Sequence, residues 1–257
     1  MVACISLDSP IPQYHGPTLL ALPGTGCSPV IYGGVQIDGW NLLSVDWARS
    51  RGPTGPLSIA LRVQAALANF TGPVVLLGHS TGAAIAALAA SMATESTPIA
   101  GLVMSNTGVH SRNHGDPTFA QRIFECWSAK EQEAFLRACF FYPPQAMLWK
   151  SMCTYLASIP ASALLEAVQG LRALDLGLYL ERITQPTLVA HGYYDKRRQV
   201  TDAQDLVAAI PDARLAMLPG GHTPMVDCTA NYCDVIKEFL DTVLKARGHL
   251  PGTLVTH

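Results

Sequence analysis

The pattern of apolar and polar positions predicts alternating strands and helices in the first half of the chain. Four short apolar runs are typical of buried parallel strands, and they are Thr18–Leu22, Leu42–Asp46, Val74–Leu77 and Ile99–Ser105. Helical patterns lie between them, most clearly at Leu57–Phe70 and Thr81–Ala93. This order predicts an α/β fold with right-handed βαβ units, in which helices cover both faces of a mostly parallel, doubly wound sheet.

The alternation stops after residue 108 and resumes near residue 183. Between these points the chain shows helical periodicity throughout. The pattern then predicts two further strands and a last amphipathic helix, at Thr187–His191, Arg214–Leu218 and about Ala230–Lys245. We therefore expect residues 1–108 and 183–257 to form one α/β core, into which residues 109–182 are inserted as a helical lid.

Aromatic residues are concentrated in this inserted segment. Two interpretations stay open, and both can hold at once. The aromatic side chains form the core between the helices and the sheet, or they line an apolar substrate pocket beneath the lid. The residues that we assign to such a pocket are Phe119, Phe124, Trp127, Phe140, Phe141 and Trp149.

Composition narrows the classes of function. The 257 residues suit one large α/β domain, and 49% hydrophobic against 14% charged residues excludes an intrinsically disordered chain. The formal net charge of −2 argues against nucleic-acid binding, so we expect a small-molecule partner and a monomer or homodimer. Some basic residues have two interpretations, contact with a substrate carboxylate or, as we favour, a solvated surface position. They are Arg112, Arg122, Lys196, Arg197 and Arg198.

Targeting and redox features predict a cytoplasmic protein. No apolar run has the roughly 18 residues of a membrane span, and residues 1–7 lack the basic region and long apolar run of a secretory signal. The seven cysteines include no CxxC pair, which indicates reduced, buried thiols. His110 and His114 have an i, i+4 spacing without a supporting carboxylate or cysteine cluster, so we predict neither a metal nor a cofactor.

The sequence Gly78-His79-Ser80-Thr81-Gly82 matches the G-x-S-x-G pattern of a nucleophile elbow. It follows a predicted strand and opens a predicted helix, which is the context that gives the pattern meaning. The two glycines let strand and helix approach closely, and the turn presents the Ser80 hydroxyl above the sheet edge. Ser80 is therefore the candidate nucleophile, and we assign His79 a structural role beside it.

A serine needs a base and an orienting acid to become a strong nucleophile. His222 lies in the Gly-rich loop between the last predicted strand and the last helix, and Asp195 follows the strand Thr187–His191. All three candidates come after the carboxyl ends of parallel strands, where open α/β sheets place their sites. We predict that His222 takes the Ser80 proton and that Asp195 orients the imidazole. Asp227 is assigned instead to the start of the last helix.

The negative charge of a tetrahedral intermediate needs two donors. The Thr81 backbone N–H, directly after the nucleophile, is one candidate. The loop Pro23-Gly24-Thr25-Gly26-Cys27 follows the first predicted strand and offers the other. Within it we favour Thr25 and then Gly26, because glycines let the backbone turn its amides toward a substrate.

These motifs resemble the α/β-hydrolase superfamily over nearly the full chain. The resemblance is strongest to its small, helical-lidded esterase and lactonase branch. The matching segments are Gly78–Gly82, Gly24–Gly26, Pro186–Val189 with His191-Gly192 and Asp195, and Gly221–Pro224. Ser105-Asn106-Thr107 is similar to a segment of enol-lactonases. The resemblance implies an α/β-hydrolase fold with a Ser80, Asp195 and His222 triad.

The chain departs from the pattern of this superfamily in several places, two of which lie near the candidate site. Pro23-Gly24 replaces the usual His-Gly before the oxyanion turn, which removes a hydrogen bond that shapes the loop. Residues 47–52 replace the common Gly-x-Gly-x-Ser turn. The strand Ile99–Ser105, after which some members place their acid, is followed by Asn106, so no carboxylate there competes with Asp195.

Three functions fit these features, and the first is favoured. It is a serine hydrolase that cleaves an ester, lactone or thioester of a small, mostly apolar molecule through an acyl–Ser80 intermediate. The second is carbon–carbon bond hydrolysis of a vinylogous diketone with the same triad. The third is a ligand-binding receptor on a hydrolase scaffold, because fold alone does not establish activity.

Overall fold

A computed structural model describes residues 2–112 and 116–246 of the chain. Seven strands form one sheet in which each adjacent pair is parallel, in the order β1-β3-β2-β4-β5-β6-β7. The strands are β1 Ala3–Ile5, β2 Thr18–Leu22, β3 Asn41–Val45, β4 Val74–His79, β5 Ile99–Ser105, β6 Thr187–Gly192 and β7 Ala213–Leu218. The predicted α/β class and doubly wound parallel sheet are confirmed.

Ten α-helices connect or cover these strands in the described residues. In the core they are α1 Pro56–Ala66, α2 Thr81–Ser91, α8 Val200–Ala209, α9 Pro224–Asp227 and α10 Thr229–Ala246. Between β5 and β6 they are α3 Phe119–Cys126, α4 Ala129–Arg137, α5 Ala146–Ser158, α6 Ala161–Ala173 and α7 Gly177–Leu180. Short 3₁₀ helices add Pro29–Tyr32 and Leu67–Asn69.

Most element boundaries lie within three residues of those predicted, and the largest differences have local causes. The helix predicted over Leu57–Phe70 begins at Pro56 and tightens into a 3₁₀ turn at Leu67, before a strand-like Phe70. The edge strand β1 is not predicted by the apolar pattern. It has three residues, two of them exposed, and it is held by parallel pairing with β3.

Helix α2 lies at the centre of the core, and its residues from Thr81 to Ala90 are buried. Small side chains permit this position. A Cβ atom on Gly82 would lie 1.9 Å from the Leu22 carbonyl oxygen, and one on Gly78 would lie 2.3 Å from the Ala83 Cα atom. Because both contacts are far inside van der Waals distance, only glycine lets α2 begin this close to β2 and β4. This packing fixes the residue between them, Ser80.

The five helices between β5 and β6 are joined to the core by polar contacts. The Tyr155 hydroxyl donates to Asp46 Oδ1 at 2.7 Å, and Thr54 Oγ1 donates to the Ala163 carbonyl at 2.7 Å. In the described part of the chain, no single helix is long and apolar enough to cross a membrane. Helices α5 and α6 together have the length and the apolar composition of a membrane span, but the two helices meet at an angle of 94°.

Candidate active site

Ser80 occupies a strained turn between β4 and α2. Its backbone has φ 52° and ψ −118°, a region that non-glycine residues rarely adopt. The Ser80 N–H donates to the Ser105 carbonyl at 2.8 Å, which holds the turn against β5. The surrounding glycines and this hydrogen bond maintain the strain, which is characteristic of functional sites. The side chain faces a cavity and lies beside the N-terminus of α2.

His222 and Asp195 are hydrogen-bonded to each other. His222 follows β7 and Asp195 follows β6, and His222 Nδ1 donates to Asp195 Oδ2 at 2.8 Å. Both side chains are buried, yet His222 lines the same cavity as Ser80. Since Nδ1 is bound to the carboxylate, the imidazole keeps Nε2 for a partner in the cavity. The sheet therefore brings Ser80, Asp195 and His222 to one edge.

The Asp195 carboxylate accepts four hydrogen bonds. Oδ1 accepts the backbone N–H groups of Arg197 at 2.7 Å and Arg198 at 3.1 Å. Oδ2 accepts His222 Nδ1 and, at 2.7 Å, Asn106 Nδ2. Burial alone would raise the pKa of Asp195, but the charge of His222 and these hydrogen bonds lower it below its ordinary value. Asp195 is therefore ionised throughout the neutral range.

Asn106 is a positioning residue that the sequence reasoning did not assign. It follows β5 with φ 50°, a conformation that asparagine tolerates better than most residues. Its side-chain amide donates both to Asp195 and, at 3.1 Å, to the Gly221 carbonyl in the loop that carries His222. The one available signal was its position at the end of a central strand, directly after Ser105.

Replacing Asn106 by glycine is expected to lower kcat about tenfold. Glycine keeps the positive φ but removes the hydrogen bond to the Asp195 carboxylate, and a hydrogen bond to a charged group contributes about 1.5–3 kcal/mol. The His222 Nδ1 proton, observed as a downfield resonance by NMR, should shift or broaden in the same variant. An unchanged resonance and an unchanged kcat would contradict this role.

His79 is fully buried and holds the His222 loop. Its Nε2 donates to the His222 carbonyl at 2.8 Å, and the two imidazole rings lie 5.0 Å apart in an edge arrangement. Burial, followed by repulsion from His222, lowers the pKa of His79 to about 3. His79 is therefore neutral at physiological pH, and the geometry supports the structural role that the sequence suggested.

The low pKa of His79 predicts a loss of stability in acid. Below about pH 6.5 the unfolded chain binds a proton at this residue, whereas the folded chain does so only near pH 3. Between pH 6.5 and pH 4.5 the free energy of unfolding should therefore fall by about 2–3 kcal/mol from His79 alone. Urea unfolding across this range measures the slope, and His79→Gln should make it shallower. Equal slopes in the two proteins would refute the assignment.

The loop after β2 faces the start of α2. Thr25 Oγ1 and Thr81 Oγ1 lie 2.7 Å apart in a hydrogen bond that joins the two candidate oxyanion donors. Gly26 has φ +72°, and an added Cβ would meet Phe135 at 3.1 Å. The buried Trp47 indole donates to the Pro23 carbonyl at 2.9 Å. Trp47 belongs to residues 47–52, which replace the common Gly-x-Gly-x-Ser turn. Its hydrogen bond holds the loop in which Pro23-Gly24 replaces the usual His-Gly.

Asp227 has a position different from the one expected. It ends the short helix α9, before α10 begins, and does not start the last helix. Its carboxylate accepts the N–H of Gly221 at 2.9 Å, of Phe141 at 3.2 Å and of Tyr142 at 3.3 Å. It thus joins the His222 loop to the inserted segment, a role that sequence spacing does not reveal.

The cavity at Ser80 has a volume of about 440 Å³. One wall comes from the loop after β2 and from α2, and the other comes from α3, α4 and α6. Apolar contacts are supplied by six lining residues, which are Phe119, Ala134, Phe135, Ala138, Val168 and Leu171. Inserted helices therefore cover Ser80 and contribute much of the surface of this cavity.

Most of the aromatic residues assigned to the pocket lie elsewhere. Among the described residues, Phe119 lines the cavity, whereas Phe124 is 79% exposed on the outer face of α3. Trp127 packs edge-on against Phe119 and Phe135 behind the wall. The remaining three pack among themselves or on surface residues, and they are Phe140, Phe141 and Trp149. Helix orientation, which local sequence does not determine, decided which aromatic faces the cavity.

Four of the five basic residues for which we favoured a solvated position lie at the cavity, although one of them, Lys196, is also exposed. Arg122, Lys196, Arg197 and Arg198 all form part of its wall, and Arg172 joins them. Arg112 is exposed, as expected. The side-chain wall is therefore apolar in part and basic in part, which the near-neutral charge of the whole chain conceals.

The residues that the structure describes contain no group of three or more His, Cys, Asp or Glu side chains able to hold a metal ion. His110 Nδ1 lies 3.2 Å from Asp175 Oδ1. Its predicted neighbour His114 is outside the described residues. All seven cysteines are free thiols, and Cys27 and Cys139 line the cavity.

Comparison with solved structures gives proteins of the same fold. The structure of a lipase-esterase related protein from Clostridium acetobutylicum is 18% identical, with a TM-score of 0.72, covering 87% of this chain and 94% of that chain. The enol-lactonase from Burkholderia xenovorans is 16% identical, with a TM-score of 0.72, covering 88% and 91%.

One curated relative matches a part of the sequence. Polyketide synthase ThaQ from Burkholderia thailandensis is 30% identical over 109 residues, which are 40% of this chain. This chain covers only 5% of the length of that protein. The sequence model of the alpha/beta hydrolase family matches residues 19–235, which include most of β2, the Ser80 turn and the loops of Asp195 and His222. The chain therefore belongs to the alpha/beta hydrolase family.

Proposed function

We propose that this protein is a serine hydrolase that cleaves an ester, lactone or thioester bond of a small molecule. The observation that carries the proposal is the 2.8 Å hydrogen bond between His222 Nδ1 and Asp195 Oδ2, at the cavity onto which Ser80 opens. It leaves His222 Nε2 to act as a base, and the strained backbone of Ser80 presents its hydroxyl. The two alternatives, carbon–carbon bond hydrolysis and ligand binding without turnover, are not favoured by any further contact described at this site.

The proposed reaction begins with proton transfer from Ser80 Oγ to His222 Nε2. The serine oxygen attacks the carbonyl carbon, and the ionised Asp195 stabilises the imidazolium that forms. His222 then protonates the leaving group, which departs as an alcohol or thiol, and an acyl–Ser80 ester is left. Water, deprotonated by His222, attacks this ester and releases the carboxylic acid.

We assign the oxyanion hole to the Thr81 N–H and to the loop at Thr25 and Gly26. The Thr81 N–H belongs to the first turn of α2, where the helix dipole favours negative charge. The hydrogen bond between Thr25 and Thr81 keeps the loop at this turn. Donors that are fixed before the reaction stabilise the tetrahedral intermediate without reorganisation.

We further propose that residues 109–182 act as a lid and that the enzyme works in the cytoplasm. The lid role is supported by the cavity wall that α3, α4 and α6 supply above Ser80. The cytoplasmic assignment is supported by the seven free thiols, two of which lie at the cavity. The cytoplasmic assignment implies that activity should be assayed under reducing conditions, which keep these thiols free.

Active-site labelling tests the proposed function before the natural substrate is known. A fluorophosphonate probe should label the purified protein once, and mass spectrometry should locate the adduct on Ser80. Aryl esters, lactones, acyl thioesters and a vinylogous diketone then identify the bond that is cleaved. Cleavage of the diketone alone would favour carbon–carbon hydrolysis, and a protein that is neither labelled nor active would favour the receptor.

A further inference from the structure

The cavity wall carries more positive than negative side chains, although the whole chain has a net charge of −2. Its charged lining residues are Arg122, Arg172, Lys196, Arg197, Arg198, Asp116 and Glu131. Burying a charge costs free energy unless a partner compensates it. The partner of each cation therefore shows whether it is structural or available to a substrate.

Three of the five positively charged side chains form ion pairs or hydrogen bonds with other groups of the protein. Arg122 forms ion pairs with Asp116 at 2.8 Å and Glu131 at 2.7 Å. Arg198 donates to the His110 carbonyl at 2.8 Å and to Ser111 Oγ, and it lies 3.7 Å from Asp202. Arg172 donates to the Asp116 carbonyl. Arg122 and Arg172 hold parts of the inserted segment together, and Arg198 joins that segment to the core. The role of these three cations is therefore explained without a ligand.

Arg197 and Lys196 are different. Over the described ranges 2–112 and 116–246, the guanidinium of Arg197 and the ammonium of Lys196 contact no carboxylate. Lys196 is exposed, and solvent compensates its charge. Arg197 is half-buried, with its guanidinium carbon 5.0 Å from the centre of the Phe135 ring. A guanidinium stacked on an aromatic face keeps its edge, with its N–H donors, for a further partner.

The position of Arg197 is fixed relative to the catalytic groups. Its backbone N–H donates to Asp195 Oδ1 at 2.7 Å, so the residue is anchored to the candidate acid. The ring beneath its guanidinium, Phe135, lies beside the oxyanion loop, because a Cβ atom built on Gly26 would lie 3.1 Å from this ring. The Cys139 thiol has a lowered pKa, first because of a hydrogen bond with Cys27 and also because of the charge of Arg197. The guanidinium therefore lies inside the cavity, near the oxyanion loop.

We propose that Arg197 binds a carboxylate on the substrate, so that the enzyme prefers half-esters, lactones or thioesters with a free acid group. The inference rests on the proposed serine hydrolase function and names its substrate class. A carboxylate matches the planar guanidinium by two parallel hydrogen bonds, and the exposed Lys196 adds a second positive charge. The apolar wall, including Phe119 and Leu171, would contact the carbon chain between the acid and the scissile carbonyl.

Paired substrates measure this preference. Mono-4-nitrophenyl succinate and glutarate are compared with the neutral 4-nitrophenyl butyrate, which has the same leaving group. The wild type should have a kcat/KM at least about tenfold higher for the best half-ester, which is the ratio that 1.4 kcal/mol gives. In Arg197→Gln this ratio should fall at least tenfold, mainly through KM, and Arg197→Lys should recover part of it. Arg182→Gln removes an exposed positive charge outside the cavity lining and should leave the ratio unchanged.

A binding measurement separates this inference from the proposed function. Calorimetry with monomethyl glutarate on Ser80→Ala protein needs no turnover, and adding Arg197→Gln should weaken the affinity at least tenfold. Arg197-dependent binding without hydrolysis of any substrate would support the carboxylate site and refute the hydrolase. Hydrolysis through Ser80 with equal ratios in wild type and Arg197→Gln would refute the carboxylate site alone.

Discussion

Replacing Ser80 by alanine is expected to lower kcat for ester hydrolysis by about 10⁵-fold, because the acyl–enzyme cannot form. Alanine keeps the Cβ atom and the backbone of the turn, so the cavity, the His222 to Asp195 hydrogen bond and substrate binding should persist. Initial rates with 4-nitrophenyl esters measure the loss. Ser96→Ala, which removes an exposed hydroxyl far along the chain from the turn, serves as the matched control.

A second substitution at the same position separates the nucleophile from the strained backbone. Ser80→Gly should be as inactive as Ser80→Ala, yet more stable by about 1 kcal/mol, because glycine adopts φ 52° without steric cost. Urea unfolding of the two variants gives the difference. Substantial residual turnover in both variants, with purified protein free of contaminating esterase, would exclude the acyl–Ser80 route.

The parallel sheet was predictable because its signals are local. A buried parallel strand such as Ile99–Ser105 is a continuous apolar run with polar or glycine-containing boundaries, and the structure gives it the same bounds. The G-x-S-x-G sequence also specifies its own geometry, since Gly78 and Gly82 are required by contacts of strand and helix within one turn. The loops of Asp195 and His222 then followed from strand order alone.

The cavity wall was less predictable because it depends on how distant helices pack. In α3, Ile123 is 2% exposed while its neighbour Phe124 is 79% exposed, and hydrophobicity alone ranks the two residues equally for burial. Asn106 and Asp227 act through hydrogen bonds to residues far away in sequence, so spacing gave no indication of them. Arg197 looked like a surface residue because its neighbour Phe135 comes from a different part of the fold.

Replacing Asp195 by asparagine is expected to lower kcat by about 10⁴-fold while leaving the fold intact. The hydrogen bonds of this structure determine how the new amide would be oriented. Oδ1 accepts two backbone N–H groups, from Arg197 and Arg198, so the amide oxygen must stay on that side. The NH₂ group must then face His222 Nδ1, which becomes an acceptor, and the proton moves to Nε2. An Nε2–H imidazole cannot take the proton of Ser80.

Asn106 makes this reversed arrangement accessible. Among the residues that the structure describes, its buried Oδ1 atom has no hydrogen-bond partner, whereas its Nδ2 donates to Asp195. Rotating the Asn106 amide would let Oδ1 accept from the new NH₂ group, but it would break the hydrogen bond from Nδ2 to the Gly221 carbonyl. Asp195→Asn should therefore fold with a loss of stability of about 1 kcal/mol, the net contribution of one hydrogen bond. NMR of ¹⁵N-labelled histidine should show the proton on Nδ1 of His222 in the wild type and on Nε2 in the variant. Asp205→Asn, on the exposed face of α8, is the matched control. Wild-type turnover in Asp195→Asn would show that another group orients His222 and would refute the triad.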